Sequence, residues 1–339
     1  MGMTNNKHKI TILGDGGWGT ALALVAQRNG HDTMLWGTFP EYVKVLEEKR
    51  ENVKFLPGVP IPKEIRLTSK FDEAVSFGEC ILIAIPTKFV RNALFQLKKH
   101  DLGSKILVSV SKGIENKTLL MPSQIIRSQK PSASLVILSG PSHAEEVARG
   151  VPTCVVVASR DIDKVKTVQN MLMDERFRIY RSSDALGVEI GGALKNVIAI
   201  AGGICDGLNL GDNTKSALLA RGLSEISRLG VKMGARRETF YGLSGVGDLI
   251  TTCFSKFGRN RYVGEEIGRG KKMKEIIDSM EMVAEGVETA RAAYDLSKKY
   301  EVEMPITEEV YRVLYEDKPA VRALENLMMR EAKDEIELY

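Results

Sequence analysis

The segment KITILGDGGWGTALALVAQR, residues 9–28, leaves the chain few choices of fold. An apolar strand-like run meets Gly14, Gly16 and Gly19, and an alanine-rich helical stretch follows without a spacer. Glycines in this order permit a tight turn at the first, close approach of backbone to a pyrophosphate at the second, and close helix–strand packing at the third. The first amides of the helix have no intrahelical acceptor, so they face the anion. This is the first strand–helix unit of a dinucleotide-binding sheet.

Asp15 lies inside the loop, where a carboxylate turned toward a pyrophosphate would repel it. It is expected to point outward or to cap nearby amides. The next strand, DTMLW, ends at Trp36, Gly37 and Thr38, where an acid would grip a ribose 2′-hydroxyl for NAD alone. Without that charge a 2′-phosphate is not expelled, and no arginine there selects it. The expected cofactor is NAD or NADP, with the preference open.

Strand-like runs recur at 9–13, 32–36, 65–68, 80–85, 105–110, 134–138, 153–158 and 177–180. Helical stretches lie between them, around 19–29, 40–49, 87–99 and 161–173. Several runs are continuously apolar, as in a parallel sheet covered on both faces. After FRIY (177–180) the strands stop, and helices broken by glycines, Pro305 and Pro319 continue to the end. The expected fold is α/β: a doubly wound Rossmann-type sheet domain over 8–185, then an all-α domain over 186–339, joined by a long helix near 185–203. A chain of 339 residues exceeds one ordinary core, which agrees with two domains.

The net charge of +4 without a basic block argues against a nucleic-acid face and leaves room for a basic pocket. No apolar run approaches the roughly 18 residues of a membrane span. MGMTNNKHK lacks the apolar core of a signal peptide, and Asn6 breaks the myristoylation pattern. Cys80, Cys154, Cys205 and Cys253 are spaced neither for zinc nor as a disulfide framework, so a cytoplasmic protein without a metal is expected.

Ligands of such sheets bind beyond the carboxyl ends of the strands. That rule selects Pro86 and Thr87; Ser111, Lys112 and Gly113; and Gly140, Pro141 and Ser142. Lys112 brings a cation to the crevice and suits a phosphorylated or carbonyl substrate. Ser142 also opens a capping-box pattern with Glu145. His143 is the one histidine placed for catalysis, and a histidine-driven mechanism is not favoured. In GVEIGGALKNVIAIAGGI (187–204), Lys195 lies on a helix apolar enough to be buried. Burial prepares a lysine for proton exchange, unless its head snorkels to the surface at the domain join. The paired glycines leave room for a ligand or another helix. In GLSGVGDLITTCFSKFGRNR (242–261), Asp248 follows a glycine-rich turn at a helix start. Gly258, Arg259 and Asn260 then suit phosphate recognition or a solvated loop.

Together, GxGxWGTALA, SVSKGIE (109–115), LSGPSHAEEV (138–147), GALKN (192–196), GLSGVGDLITTC (242–253), FGRNR (257–261) and VAEGVETA (283–290) give the chain a resemblance to the bacterial-type NAD(P)-dependent glycerol-3-phosphate dehydrogenases. The resemblance spans nearly the whole chain. It implies that Gly17 and Trp18 touch the cofactor, with Thr38 near the adenosine ribose, and with Ala144, Val283 and Glu285 as further cofactor contacts. Lys112 would contact cofactor and substrate. Gly140, Ser142 and Thr252 would line the substrate site, and Gly258, Arg259 and Asn260 would hold its phosphate, Arg259 also reaching the cofactor. Lys195 would be the general acid/base, oriented by Asp248. Two positions depart from the family pattern: Asp15 replaces a small residue, and Thr38 replaces a basic residue or histidine.

The implied reaction is reversible hydride transfer between NAD(P)H and dihydroxyacetone phosphate, giving sn-glycerol 3-phosphate for phospholipid synthesis, without a metal. A homodimer is expected. A β-hydroxyacid dehydrogenase would need a carboxylate site in place of FGRNR, and a silent NAD(P) sensor would have no need of Lys112 and Lys195.

Overall fold

The structure is a computed structural model, and it describes residues 6–332, 334 and 335. The signal-peptide reading of the first residues and the tail of the 186–339 segment lie partly outside the described residues. In chain order the strands are β1 (Lys9–Leu13), β2 (Asp32–Trp36), β3 (Glu51–Asn52), β4 (Leu56–Pro60), β5 (Arg66–Thr68), β6 (Cys80–Ile83), β7 (Ile106–Ser109), β8 (Ser134–Ser139), β9 (Thr153–Ala158) and β10 (Phe177–Ser182). Eight of them form one sheet in the order β10-β9-β8-β7-β6-β1-β2-β5. Strand β1 pairs in parallel with both β2 and β6, so the chain order reverses at its carboxyl end. The glycine loop therefore opens at the topological switch point.

Alternate residues explain the continuous apolar runs. In β6, Cys80 and Leu82 join the core on one face of the sheet, and Ile81 and Ile83 join the core on the other. Both faces are covered, so neither set can be polar.

The structure departs from the sequence reading in several places. Strand β9 runs antiparallel to β8, so the sheet is mixed at that end. The connection between them holds only the five-residue helix Ala144–Ala148, which packs beside the glycine-loop helix Gly17–Arg28. The chain turns back beside β8 instead of making a full helical crossover. The hairpin β3–β4 was not expected, because a two-residue strand facing LPGVP carries no strand-like run. The helix expected over 87–99 divides into Thr87–Leu94 and a tighter turn, Phe95–Lys99.

The sheet ends at Ser182, and the helix Ala185–Gly207 begins almost at once. Asp184 caps it through Gly187 N–H (3.0 Å), while its other oxygen accepts from Arg236 N–H (2.9 Å) and Thr239 Oγ1 (2.6 Å). Beyond it every described element is helical. Contrary to the expectation of no such run, Ala185–Gly207 is long and apolar enough to cross a bilayer by length and composition, but 94% of its apolar window is buried in the protein. It is the central core helix, and its glycines set the packing. A Cβ on Gly203 would lie 1.9 Å from the Arg261 carbonyl oxygen, and one on Gly264 would lie 1.9 Å from that of Ile200. This helix and Arg259–Gly268 thus touch backbone to backbone.

Candidate active site

The carboxylate of Asp248 is the hub of the site. A glycine-rich π-helical turn, Leu243–Gly247, brings the chain to the start of the helix Asp248–Phe254. Only a glycine fits at 245 in that turn, since a Cβ there would lie 2.0 Å from the Phe240 carbonyl oxygen. Asp248 Oδ1 accepts from Lys195 Nζ at 2.6 Å, and Oδ2 accepts from Lys112 Nζ at 2.8 Å. The side chains of Asp248 and Lys195 are 1% and 9% exposed, so Lys195 does not snorkel. Lys112 also donates to the Gly140 carbonyl (2.8 Å) and to Ser142 Oγ (3.4 Å).

Two ammonium groups share one carboxylate in this enclosure, which leaves a net positive site for an anion. Burial pushes the Lys112 ammonium down to about 8 against the pull of Asp248, with Lys195 adding repulsion. His143 stands close by; burial first, then Lys195, pushes its imidazole down to about 4. A neutral ring there adds no further charge.

A second network ties the helical half to the sheet edge. Asn196, beside Lys195, donates to the Lys112 carbonyl (3.2 Å), and its Oδ1 accepts from Asn260 Nδ2 (2.9 Å). Asn260 Oδ1 in turn accepts from Gly286 N–H at 2.9 Å. Asn260 is buried, with one amide N–H given to Asn196 and its Oδ1 accepting from Gly286. Gly258, Arg259 and Asn260 present the start of the helix Arg259–Gly268, with the exposed Arg259 beside first-turn amides that lack intrahelical acceptors. Asn196 was not singled out from sequence; its place next to Lys195 was the available signal. Thr252 is buried one turn beyond Asp248. Glu285 Oε1 accepts from Thr87 N–H (3.1 Å), and its carboxyl, raised by burial, abuts Gly113; Val283 lines the same cleft.

At the glycine loop, Gly14 has φ +119° and lies against the Ala84 carbonyl, where a Cβ would be 2.6 Å from oxygen. A Cβ on Gly19 would lie 1.8 Å from the Gly14 carbonyl oxygen, which is the close helix–strand packing expected of the third glycine. Gly16 has open space on its Cβ side, and Ala144 Cβ is 3.6 Å from where a Cβ on Gly17 would be. The Trp18 indole N–H is buried without a partner, as are Thr87 Oγ1 and His143 Nε2. Open glycine backbone at the switch point, beside orphaned donors and acceptors, fits a dinucleotide.

Two local readings are corrected. Ser142 does not cap the following helix; the N-cap is His143, without a side-chain hydrogen bond, and Ser142 Oγ donates instead to the Gly140 carbonyl at 2.9 Å. Asp15 does not point outward: its Oδ2 is buried and turned toward Gly37, and the carboxyl interacts with its own backbone amide. Of the two occupants expected beside the paired glycines, Gly191 meets another helix, at the Ser244 carbonyl of the π-helical turn, and Gly192 meets Ser139 Oγ. Thr38 is exposed beyond β2, apart from the lysine–carboxylate cluster. Among the described residues, no group of three His, Cys, Asp or Glu side chains is placed to hold a metal ion.

Family models match both halves. The N-terminal region of NAD-dependent glycerol-3-phosphate dehydrogenase matches residues 9–165, and its C-terminal region matches 184–325. The chain is 48% identical over 332 residues to a Bacillus pumilus protein named glycerol-3-phosphate dehydrogenase [NAD(P)+], covering 97% of this chain and 96% of that one. It is 46% identical over 327 residues to a protein of the same name from Agathobacter rectalis, covering 96% and 97%. The crystal structure of glycerol-3-phosphate dehydrogenase from Coxiella burnetii superposes with a TM-score of 0.92 at 34% identity, covering 96% of this chain and 99% of that one. With the sheet, the central helix and both family halves in register, the chain belongs to the NAD-dependent glycerol-3-phosphate dehydrogenase family.

Proposed function

We propose that the protein catalyses reversible hydride transfer between NAD(P)H and dihydroxyacetone phosphate, forming sn-glycerol 3-phosphate for phospholipid synthesis. The observation that carries this reading is Asp248 held between Lys195 at 2.6 Å and Lys112 at 2.8 Å, beside the glycine loop of a dinucleotide fold.

The nucleotide would lie on Gly14, Gly16, Gly17, Trp18 and Gly19, with Ala144, Arg259, Val283 and Glu285 along its course. When bound, its nicotinamide supplies or accepts the hydride. Lys195 Nζ, as the ammonium, gives a proton to the carbonyl oxygen as that oxygen gains negative charge, and takes it back in the reverse direction. Asp248 stays a carboxylate and fixes the direction of the Lys195 Nζ–H bonds. Lys112, held by Gly140 and Ser142, polarises the same oxygen, a stabilisation that grows with charge in the transition state. Arg259 and the amides that follow Gly258 take the substrate phosphate, with Thr252 bordering the site. Asn260 acts by holding Asn196 and Gly286, and so positions Lys195 and the segment before Glu285.

The sheet and helical units are read as 8–185 and 186–339, acting in the cytoplasm as a homodimer. The test follows oxidation of NADH and, separately, NADPH with dihydroxyacetone phosphate, against unphosphorylated dihydroxyacetone. Turnover that requires the phosphate supports the reading. Demonstrated nucleotide binding without turnover on the phosphorylated ketone overturns it.

A further inference from the structure

Asp15 takes no part in the chemistry above, yet the fold holds it firmly. Asn52 Nδ2 donates to the Asp15 carbonyl (2.8 Å) and to Thr20 Oγ1 (2.7 Å), and Tyr42 OH donates to Asn52 Oδ1 (2.7 Å). The β3–β4 hairpin thereby pins the backbone of the glycine loop at this residue. The carboxylate is then laid over the end of β2: a Cβ added at Gly37 would lie 2.3 Å from Asp15 Oδ2 and 2.7 Å from Cγ. Gly37 itself is buried and bonded through its N–H to the Thr68 carbonyl (3.0 Å). Oδ2 is buried with no hydrogen-bond partner, and burial pushes the carboxyl up to about 6. A buried carboxylate oxygen without a partner is costly and calls for an explanation.

The location supplies one. In this fold the carboxyl end of β2 faces the adenosine ribose, and NAD-selective sheets place an acid there. Here that strand end is Trp36, Gly37 and Thr38, with no acid and no side chain at 37. The volume beside Gly37 is filled instead by a carboxylate delivered from the glycine loop. We propose that Asp15 replaces the missing strand-end acid: its carboxylate accepts hydrogen bonds from the adenosine ribose hydroxyls of NAD and repels the 2′-phosphate of NADP. Gly37 is the partner position, since a Cβ there meets Asp15 Oδ2 first, at 2.3 Å, with Val43 Cγ2 next at 2.7 Å. This inference rests on the dinucleotide reading under Proposed function and adds a preference that reading leaves open.

The test measures dissociation constants for NADH and NADPH by nicotinamide fluorescence, with no substrate present, for the native protein, Asp15→Asn and Gly37→Ala. The native protein is expected to bind NADH at least about tenfold more tightly than NADPH, the size of one charge-assisted hydrogen bond plus one repulsion. Asp15→Asn keeps the shape and removes the charge, so the ratio shifts about tenfold toward NADPH. Gly37→Ala shifts it the same way with Asp15 intact, which separates the role of the carboxylate from damage to the loop. A native preference for NADPH, or a ratio unchanged in both folded variants, overturns the inference and leaves the dehydrogenase reading standing. A native protein that binds neither nucleotide overturns both.

Discussion

The two halves of the molecule equip the site in different ways. The sheet half contributes backbone and loop ends: the glycine loop after β1, Lys112 after β7, and Gly140 and Ser142 after β8. The helical half contributes side chains from inside packed helices, Lys195 in mid-helix and Asp248 at a helix start. Lys112, on the loop after β7, keeps its side chain 18% exposed and is still pushed down by burial. A charge inside a helical core must be paired, and Asp248 is the pair that lets Lys195 stay buried there. The two lysines thus reach one carboxylate from different supports, a packed helix and a loop after a strand.

If that division holds, the largest effect comes from the helical half. Lys195→Ala should cut kcat by about 10³-fold while NADH still binds, as measured by turnover beside nucleotide titration. Turnover within a few-fold of native would move proton transfer elsewhere. Asp248→Asn should cost about 3 kcal/mol of stability in urea unfolding and abolish most activity, because two ammonium groups then face each other without a counter-charge. A stable variant with near-normal turnover would show that the pairing is dispensable.

Packing sets the next effect. Gly203→Ala pushes a methyl against the Arg261 carbonyl and should cost about 1–3 kcal/mol. Because Arg259 and Asn260 ride on the displaced helix, KM for dihydroxyacetone phosphate should rise with it. A thermal midpoint equal to native would mean that the two helices can separate freely. The sheet half gives the smallest and most graded effect. With its ammonium at about 8, Lys112 is charged on the acid side of that value and neutral above it. The pH profile of kcat/KM should be level below that point and fall as pH rises through it. Lys112→Arg should remove the falling limb, since a guanidinium keeps its charge there. A limb that persists in that variant belongs to another group.

Much of the sheet was readable because its signals are local. Strand-like runs, several of them continuously apolar, marked seven strands of the main sheet besides β1, though β5, β6 and β7 proved shorter than their runs. The glycine series was readable because its spacing between a strand and a helix is a local pattern, although Gly14 also lies against the distant Ala84 carbonyl. Lys112 and Lys195 were readable as oddities, a cation at a strand end and a cation on an apolar helix. The antiparallel turn to β9 was not, since it depends on how far a short connection can travel. The Ser142 cap was misread because serine and glutamate at that spacing look alike whether or not a lysine claims the hydroxyl.

The sequence by itself determined the alternation of strand and helix, the bare backbone at the switch point, and which few residues could carry chemistry. These follow from periodicity and from the conformational range of glycine, which need no partner. Only the tertiary structure decided that Lys112, more than a hundred residues before Asp248, shares its carboxylate with Lys195. It also decided that the Asn260 amide is bonded to Asn196 and Gly286, and that Asp15 lies over the end of β2. A hydrogen bond spans about 3 Å, and only the packing of the whole chain decides which distant residues come within it.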